Sequence, residues 1–278
     1  MNDHIVLDNH FHLNYNNDFL AAPKLFQKQG GTAINLTVLP ENISDRNHYR
    51  VLYKKTMNMA ERVRSLTDLD VLITLGPYPL DFLNWVKLGM DPVEAMKEGV
   101  DLACKIIEEK KANAIGEIGR IHFPVDETVT AKLNEILEYS MGRAHDVNCP
   151  VILHTEDLSA HAVKNVENMA RKNGLPLQKL IKHHALFENI SHASEMIFSL
   201  PASRTNMRLG MTQDIPFFME TDYVDDPLDK NRYMPADSVP RRYATILQEY
   251  GLKRESLIND IFGTLPERVY GGDAFRAR

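Results

Sequence analysis

Cysteine is scarce in this chain, and long apolar runs are missing. Only two of the 278 residues are cysteines, and no apolar stretch reaches the roughly 18 residues that a membrane-spanning helix needs. Cys104 and Cys149 lie far apart in apolar segments, which predicts buried thiols in a reducing compartment rather than a disulfide. Residues 1–14 lack the basic and then apolar pattern of a signal peptide. We therefore expect a protein without membrane segments, located in the cytoplasm.

An excess of positive charge is also missing. The chain has 32 basic and 38 acidic side chains, which gives a net charge of −6. This balance argues against a protein that grips nucleic acid through bulk positive charge, although a local patch or a bound metal can still do so. The 44% hydrophobic and 25% charged residues are ordinary for a globular protein and exclude disordered and collagen-like classes.

Short apolar runs alternate with amphipathic segments along the whole chain. Helical spacing of apolar residues predicts helices over residues 44–66, 91–110, 126–144 and 159–172. Eight runs have the length and composition of buried parallel strands, at residues 5–7, 33–39, 71–75, 114–118, 151–154, 180–183, 196–200 and 217–221. Eight strands that alternate with helices predict one (β/α)8 TIM barrel over residues 1–278. The Pro-rich and charged segment 223–242 is expected to be an irregular loop lining a site.

Polar side chains recur where the predicted strands end. His10 and His12 follow the first run two residues apart, so their side chains point to the same side of an extended chain. A barrel gathers the carboxyl ends of its strands on one face, where active sites lie. Buried polar groups there are costly unless they are satisfied, which a metal would do. The other ends carry Glu117, His154, His183 and Asp222, on strands four, five, six and eight.

The number of these side chains bears on the kind of metal site. Four imidazoles and two carboxylates are too many for one four-coordinate zinc ion with an open position. They suit two divalent ions about 3.5–4 Å apart, bridged by a carboxylate and a water. The ligand types favour Zn, with Mn, Fe or Mg as alternatives. Taken singly, Glu117 could instead pair with Arg120 in a turn, and Asp222 could cap a helix, but these explanations do not account for all six residues at strand ends.

Other residues near these positions allow less definite predictions. Strand alternation puts Ile181 and His183 on one side, so we expect His183 to be the ligand and His184 to turn into the next loop. Several neighbours of the candidate ligands could neutralise an anionic substrate, namely Arg120, Lys182, His184 and Tyr223. The remaining histidines are expected to be surface or capping residues, with His122 as a modest exception; they are His4, His48, His122, His145, His161 and His192.

Six segments together resemble the TatD-like branch of the metal-dependent amidohydrolase superfamily. They read DNHFHL at 8–13, AIGEIG at 114–119, VILHT at 151–155, IKH at 181–183, METD at 219–222 and PERVYG, similar to the last helix of that family, at 266–271. The resemblance implies a TIM barrel, a hydrolase and a divalent metal centre. It assigns one ion to His10, His12, Glu117 and Asp222, and the other to Glu117, His154 and His183. The segments at 183–186 and 221–227 depart from the common pattern and resemble an archaeal-type TatD-related subgroup.

We expect a hydrolase that cleaves phosphoesters, either small molecules or nucleic acid such as DNA, with a metal-activated water. Glu117 would bridge the metals, and Asp222 would act as the general base. The alternatives are an amide, lactone or phosphotriester hydrolase on the same scaffold, and a metal-binding barrel without catalysis. The amide, lactone and phosphotriester hydrolases of the superfamily often bridge their metals with a carbamylated lysine, so Glu117 at the strand-four position favours a TatD-like protein. The sequence predicts no particular oligomeric state.

Overall fold

The computed structural model describes residues 4–187, 194–226 and 234–276. Within these residues nine strands form one sheet, in the order β8-β7-β6-β5-β4-β3-β2-β1-β9, and every neighbouring pair is parallel. The strands are β1 (Leu7–His12), β2 (Ala33–Thr37), β3 (Asp70–Leu75), β4 (Ala114–Gly119), β5 (Val151–His154), β6 (Leu180–Lys182), β7 (Ile197–Pro201), β8 (Phe218–Glu220) and β9 (Tyr223–Val224).

Helices alternate with the strands along the chain. They are α1 (Ala21–Lys28), α2 (His48–Leu66), α3 (Asp81–Lys87), α4 (Pro92–Glu108), α5 (Glu127–Asp146), α6 (Ala160–Lys172), α7 (Arg204–Gly210), α8 (Ser238–Tyr250), α9 (Glu255–Asn259) and α10 (Leu265–Tyr270). Helix α4 shows how the sequence sets a boundary: Asp91 accepts hydrogen bonds from the N–H groups of Val93 and Glu94, and Pro92 opens the helix. In the described part of the chain, every helix is too short or too polar to cross a membrane.

Two apolar layers hold the barrel together. The outer layer lies between strands and helices and includes Phe11, Phe26 and Trp85. The inner layer fills the barrel and is closed at the amino-terminal end of the strands by side chains of α10, such as Leu265 and Tyr270. Alternation along each strand assigns its residues to the two layers, as in β5, where Ile152 points inward between outward-facing neighbours.

A side-chain carboxylate of β1 joins that strand to the segment after β8 and so closes the barrel. Strand β8 lies against β1, and Asp8 accepts hydrogen bonds from the Thr221 N–H (3.0 Å) and the Thr221 hydroxyl (2.7 Å). Burial raises the pKa of Asp8 to about 7, against the effect of these hydrogen bonds. The chain then continues as β9, where Tyr223 pairs with Phe11. The strands therefore form a (β/α)8 TIM barrel closed between β1 and β8.

The predicted barrel and alternation of elements are confirmed. The four predicted helices match α2, α4, α5 and α6 to within a few residues, and the PERVYG segment lies in α10. Both cysteines are buried free thiols. Strand β1 extends to residue 12, so His10 and His12 lie within it rather than after it.

The prediction of an irregular loop over 223–242 is wrong at both ends. Residues 223 and 224 form β9, and α8 begins at Ser238. Residues 227–233 of that segment lie outside the described residues. Pro240 and two arginines lie in the first turns of α8 and hide its amphipathic pattern in the sequence.

Gly119 allows β4 and β5 to approach each other closely. It pairs with His154, and its φ of 145° lies where glycine is favoured. A Cβ at this position would lie 2.2 Å from the His154 carbonyl oxygen. That oxygen accepts the Arg120 N–H, so it cannot move without breaking the pairing.

We predict that Gly119→Ala lowers the free energy of unfolding by about 1–3 kcal/mol, because the added methyl group would clash with a rigid backbone carbonyl. Urea denaturation measures the change. Gly263→Ala is the matched control, since an added Cβ there meets nothing within 4 Å. Equal stability of the two variants would contradict the close approach.

Candidate metal centre

The structure brings all six predicted ligands to the carboxyl-terminal face of the barrel. Glu117 lies on β4, and Asp222 lies in the short connection between β8 and β9. The ligand atoms form three overlapping groups, each within 4.8 Å, which are His10 with His12 and Glu117, Glu117 with His154 and His183, and His10 with His183 and Asp222. Side chains separated by more than 200 residues in the sequence thus lie together.

Glu117 occupies the middle of the cluster, and its two oxygens face different pairs of histidines. Oε1 lies 2.9 Å from His10 Nε2 and 3.2 Å from His12 Nε2. Oε2 lies 2.8 Å from His154 Nδ1 and 3.4 Å from His183 Nε2. The carboxylate is 5% exposed, so these imidazoles make up most of its surroundings.

Asp222 lies at the open side of the cluster. Its Oδ1 is 3.8 Å from His12 Nε2 and 4.0 Å from His10 Nε2. Its Oδ2 lies 3.1 Å from His184 Nδ1. Both Asp222 (φ 49°) and His184 (φ 46°) have left-handed backbones, which are rare for residues with side chains and concentrate at functional sites.

Irregular strand pairing occurs where the candidate ligands are. Between β1 and β2, the partners advance from Asp8–Ile34 to Phe11–Leu36, so three steps on β1 match two on β2. Strand β4 shows the same irregularity against β5, across Gly116 and Glu117. A bulge redirects the side chains of its strand. In this way His10 and Glu117 reach the same point from strands three positions apart in the sheet.

Burial and charge set the protonation of the central pair. Burial disfavours an ionised Glu117, but the charge of His10 and the hydrogen bonds with His10 and His12 outweigh burial and hold the pKa of Glu117 well below its usual value. Burial alone would lower the pKa of His10, but Glu117 outweighs it and raises the pKa to about 9. The carboxylate is therefore ionised at neutral pH, and a cation bound beside it would replace the proton of His10.

His183 and Asp222 respond to the same surroundings differently. Burial, together with the charge of His10, lowers the pKa of His183 well below its usual value. Burial works against ionised Asp222, but the hydrogen bond with His184 and the charge of His10 lower its pKa. His183 is then a neutral imidazole, the form that binds metal, and Asp222 is an anion at neutral pH.

Glu220 supplies a carboxylate behind His183 that was not among the predicted site residues. It is fully buried at the end of β8, and burial raises its pKa. Its Oε1 accepts the His184 N–H at 2.6 Å and lies 3.5 Å from His183 Nδ1. His183 Nδ1 has no hydrogen-bond partner among the described residues, but a carboxylate beside the second nitrogen of a ligating histidine is typical of metal sites. An acidic residue inside the buried run 217–221 was the signal that could have revealed it.

Tyr78 and His122 contact His154 on the side away from Glu117. The Tyr78 hydroxyl lies 3.3 Å, and His122 Nδ1 3.2 Å, from His154 Nε2. Tyr78 was not predicted because it follows β3 in a Pro-rich turn with no periodic pattern, whereas His122 was an expected exception among the remaining histidines. Both residues can fix the orientation of the His154 ring.

Three charged or polar neighbours of the ligands have partners within the protein. Arg120 forms a two-pronged ion pair with Glu156, at 2.6 and 3.1 Å, rather than with Glu117. Lys182 is buried, and its Nζ donates to the carbonyl oxygens of Thr155 and His183, so it does not face a substrate. The Tyr223 hydroxyl lies 3.5 Å from Asp225.

The expectation of surface histidines is wrong at two positions. His4 and His48 are each only 8% exposed. Each His4 ring nitrogen is 2.9 Å from a partner, Tyr243 or Asn259, which fastens the first described residues to α8 and α9. His145 and His161 are exposed as expected. His192 lies outside the described residues.

The cluster has the dimensions and donors of a divalent metal centre. His10 Nε2 and His12 Nε2 are 3.1 Å apart, and His154 Nδ1 and His183 Nε2 are 3.0 Å apart. Two ligands on a tetrahedral zinc ion, with Zn–N of about 2.0–2.1 Å, lie about 3.3 Å apart. His10 Nδ1 has no hydrogen-bond partner among the described residues, although it is buried. These groups can hold divalent cations.

A closed (β/α)8 barrel with histidines and carboxylates clustered at its strand ends defines a protein of the amidohydrolase type. The family model described as "TatD related DNase" matches residues 7–271. An uncharacterized protein of Methanocaldococcus jannaschii is 30% identical over 275 residues, which cover 96% of each chain. The chain belongs to the TatD-related DNase family and has the fold of its metal-dependent hydrolases.

Solved structures show the same fold at low sequence identity. A TatD homolog of Escherichia coli superposes with a TM-score of 0.62 at 16% identity and covers 95% of this chain and 97% of its own. A mutant organophosphorus hydrolase from Deinococcus radiodurans superposes with a TM-score of 0.64 at 12% identity, covering 98% of both chains. The barrel is therefore shared by proteins named for different activities.

Asp81, which holds the backbone of Tyr78, yields a prediction about pH. Its Oδ2 accepts the Tyr78 N–H and the Tyr49 hydroxyl, and burial raises its pKa to about 7. A raised carboxyl pKa stabilises the fold below the unfolded value, and this stabilisation is lost as the pH rises through the folded value. Asp81→Asn keeps an acceptor oxygen but does not titrate.

We predict that Asp81→Asn becomes more stable relative to the parent protein between pH 5 and pH 8, by an amount on the order of 2 kcal/mol. Urea denaturation of both proteins at the two pH values measures this difference. The other titrating groups are the same in both proteins, so their contributions cancel. Asp214→Asn, at an exposed position, is the control. A difference in the free energy of unfolding that is the same at both pH values would contradict the raised pKa of Asp81.

Proposed function

We propose that this protein is a hydrolase of phosphoester bonds that binds two divalent cations through its six clustered side chains. The observation that carries the proposal is the position of Glu117, whose two oxygens each face a separate pair of imidazoles. A carboxylate placed in this way suits a bridge between two ions. The buried free cysteines agree with an enzyme of the reducing cytoplasm.

The proposed ligand sets follow from the distances. His10, His12, Glu117 and Asp222 hold one cation, and Asp222 contributes from the more distant, open side. Glu117, His154 and His183 hold the other. Imidazole nitrogen with carboxylate oxygen is a donor set that zinc favours, with Mn, Fe or Mg as alternatives.

The remaining chemistry falls to side chains of this chain. When bound, divalent cations lower the pKa of water toward neutrality and polarise the phosphoryl oxygen of a substrate. Asp222 is ionised at neutral pH and 20% exposed at the open side, so it can accept the proton of the attacking water as general base. His184 orients the Asp222 carboxylate through its Nδ1, and Glu220 fixes the backbone of His184.

Phosphoesters are the proposed substrates because the chain belongs to a family described by deoxyribonuclease activity. The net charge of −6 favours a small phosphoester or a short nucleic acid over a long duplex. Lactone or phosphotriester hydrolysis is the alternative, and an organophosphorus hydrolase with the same fold favours it. Glu117, where superfamily members of that kind often use a modified lysine, favours the phosphoester.

Hydrolysis of chromogenic substrates tests the proposal. We expect the metal-loaded protein to cleave bis-p-nitrophenyl phosphate faster than a p-nitrophenyl ester, a phosphotriester or a lactone, and to lose this activity with a chelator. Faster cleavage of the lactone or the phosphotriester would establish the alternative. Bound metal without hydrolysis of any substrate would indicate a binding protein.

We predict that Asp222→Asn lowers kcat at least about 100-fold, because the amide cannot accept the proton. Metal content, measured by mass spectrometry of the elements, should stay near that of the parent protein. Asp157→Asn, an exposed change on the loop after β5, is the matched control. A variant at residue 222 that keeps its full rate would show that another group accepts the proton.

We predict that replacing His10 and His12 together by alanine lowers the bound metal from about two ions to about one per chain. The remaining ion keeps His154, His183 and one oxygen of Glu117. The control replaces the exposed His145 and His161 by alanine and should keep both ions. Unchanged metal content after the first double replacement would refute the ligand assignment.

A further inference from the structure

A cavity of about 370 Å³ between α7 and α8 is lined by three arginines, and the metal centre uses none of them. Arg204 and Arg208 lie on α7, four residues apart and so on the same helix face. Arg242 lies in the second turn of α8. We name this space the arginine cavity. Its other lining residues include Thr205, Thr245 and Glu249.

The three guanidinium groups of the arginine cavity lack anionic partners. Among the described residues, no ion pair or hydrogen bond satisfies the side chain of Arg204, Arg208 or Arg242. The Nε of Arg242 is buried there without an acceptor. Glu249 lines the same cavity but pairs with none of them. A buried donor without an acceptor is unfavourable, and a bound oxyanion would remove that cost.

Like charges also surround Arg242. Burial, and then the charges of Arg204 and Arg241, lower its pKa. Arg241 is paired with Asp237, whereas Arg204 has no ion pair among the described residues. Several guanidinium groups that line one cavity and have free donors suit a phosphate, because several N–H groups match its oxygens.

The position of the arginine cavity relates it to the metal centre. Helix α7 follows β7, and α8 follows β8 and β9, so both helices begin near the carboxyl-terminal face of the barrel. Arg204 is the first residue of α7, and Arg242 is the fifth of α8. Arg204 therefore lies toward the face that carries Asp222, whereas Glu249 and Tyr250, at the end of α8, line the opposite part of the cavity. Only a phosphate held at the Arg204 end of the cavity would be on the same side of the barrel as the reacting phosphate.

We propose that the arginine cavity is a binding site for a phosphate group, either free phosphate or a second phosphate of the substrate. Arg242 donates the central hydrogen bonds, and Arg204 and Arg208 supply the flanking charge. Binding of a second substrate phosphate rests on the proposed phosphoester hydrolysis, and the preferred substrate would then have at least two phosphates. Binding of free phosphate is independent of that function.

Calorimetric titration of the metal-loaded protein with inorganic phosphate tests the site. We expect Arg242→Gln to weaken binding at least about tenfold, since it removes charged donors. Arg204→Gln, an exposed change, should weaken binding as well and guards against misfolding of the first variant. The double alanine variant at His10 and His12 should still bind phosphate in the cavity, which separates this binding from that at the metal centre.

Arg50→Gln is the matched control, because Arg50 lines another cavity in which Asp91, Glu94 and Glu98 supply negative charge. It should bind phosphate as the parent protein does. Unchanged binding in Arg242→Gln and Arg204→Gln, or an equal loss in Arg50→Gln, would overturn the proposal. Phosphate binding in these variants can be measured whether or not the protein hydrolyses phosphoesters, so the two proposals can fail separately.

Kinetics distinguish the two sources of phosphate. If the second phosphate of the substrate occupies the arginine cavity, Arg242→Gln should raise KM for a 5′-phosphorylated thymidine dinucleotide at least about tenfold with little change in kcat. Its KM for bis-p-nitrophenyl phosphate should not change. A loss of phosphate binding with both KM values unchanged would assign the site to free phosphate.

Discussion

The contact of one buried carboxylate with four imidazoles governs the architecture at the mouth of this barrel. Glu117 has almost no access to water, so its charge must be balanced by the groups around it. Those groups come from β1, β5 and the segment after β6, and each Glu117 oxygen lies close to one pair of imidazoles. If any of these strands moved, an anion would remain buried and uncompensated. The strand ends are therefore constrained by charge as well as by backbone pairing.

Closure of the barrel is the second condition for the site. The two histidines of β1 reach the same space as Asp222 only because β8 returns beside β1. The side chain of Asp8 makes that junction by accepting two hydrogen bonds from Thr221. The residue after Thr221 is Asp222, and the second residue after Asp8 is His10. The contact that closes the barrel thus also sets the distance between the two ligand-bearing segments.

Charge is distributed unevenly around the metal face. Glu117 and Asp222 concentrate negative charge at the centre, where cations would bind. The unpaired arginines lie beside strands seven and eight, away from that centre. On the other side, Arg120 is already neutralised by Glu156. A chain with a net charge of −6 can therefore still attract phosphate at one place, which overall composition cannot show.

Periodicity and order along the chain were enough to determine the barrel, its alternation of strands and helices, and the six strand-end side chains. These features depend on local patterns, since each strand needs only a short apolar run and each site residue lies within or just after one. Tyr78 and the arginine cavity could not be predicted, because they depend on which elements become neighbours, and Glu220 was marked only by an acidic residue within a buried run. The bulges that direct His10 and Glu117 leave no distinct pattern either. Those bulges, together with the backbone contact at Gly119, depend on pairing between strands, which only the folded chain decides.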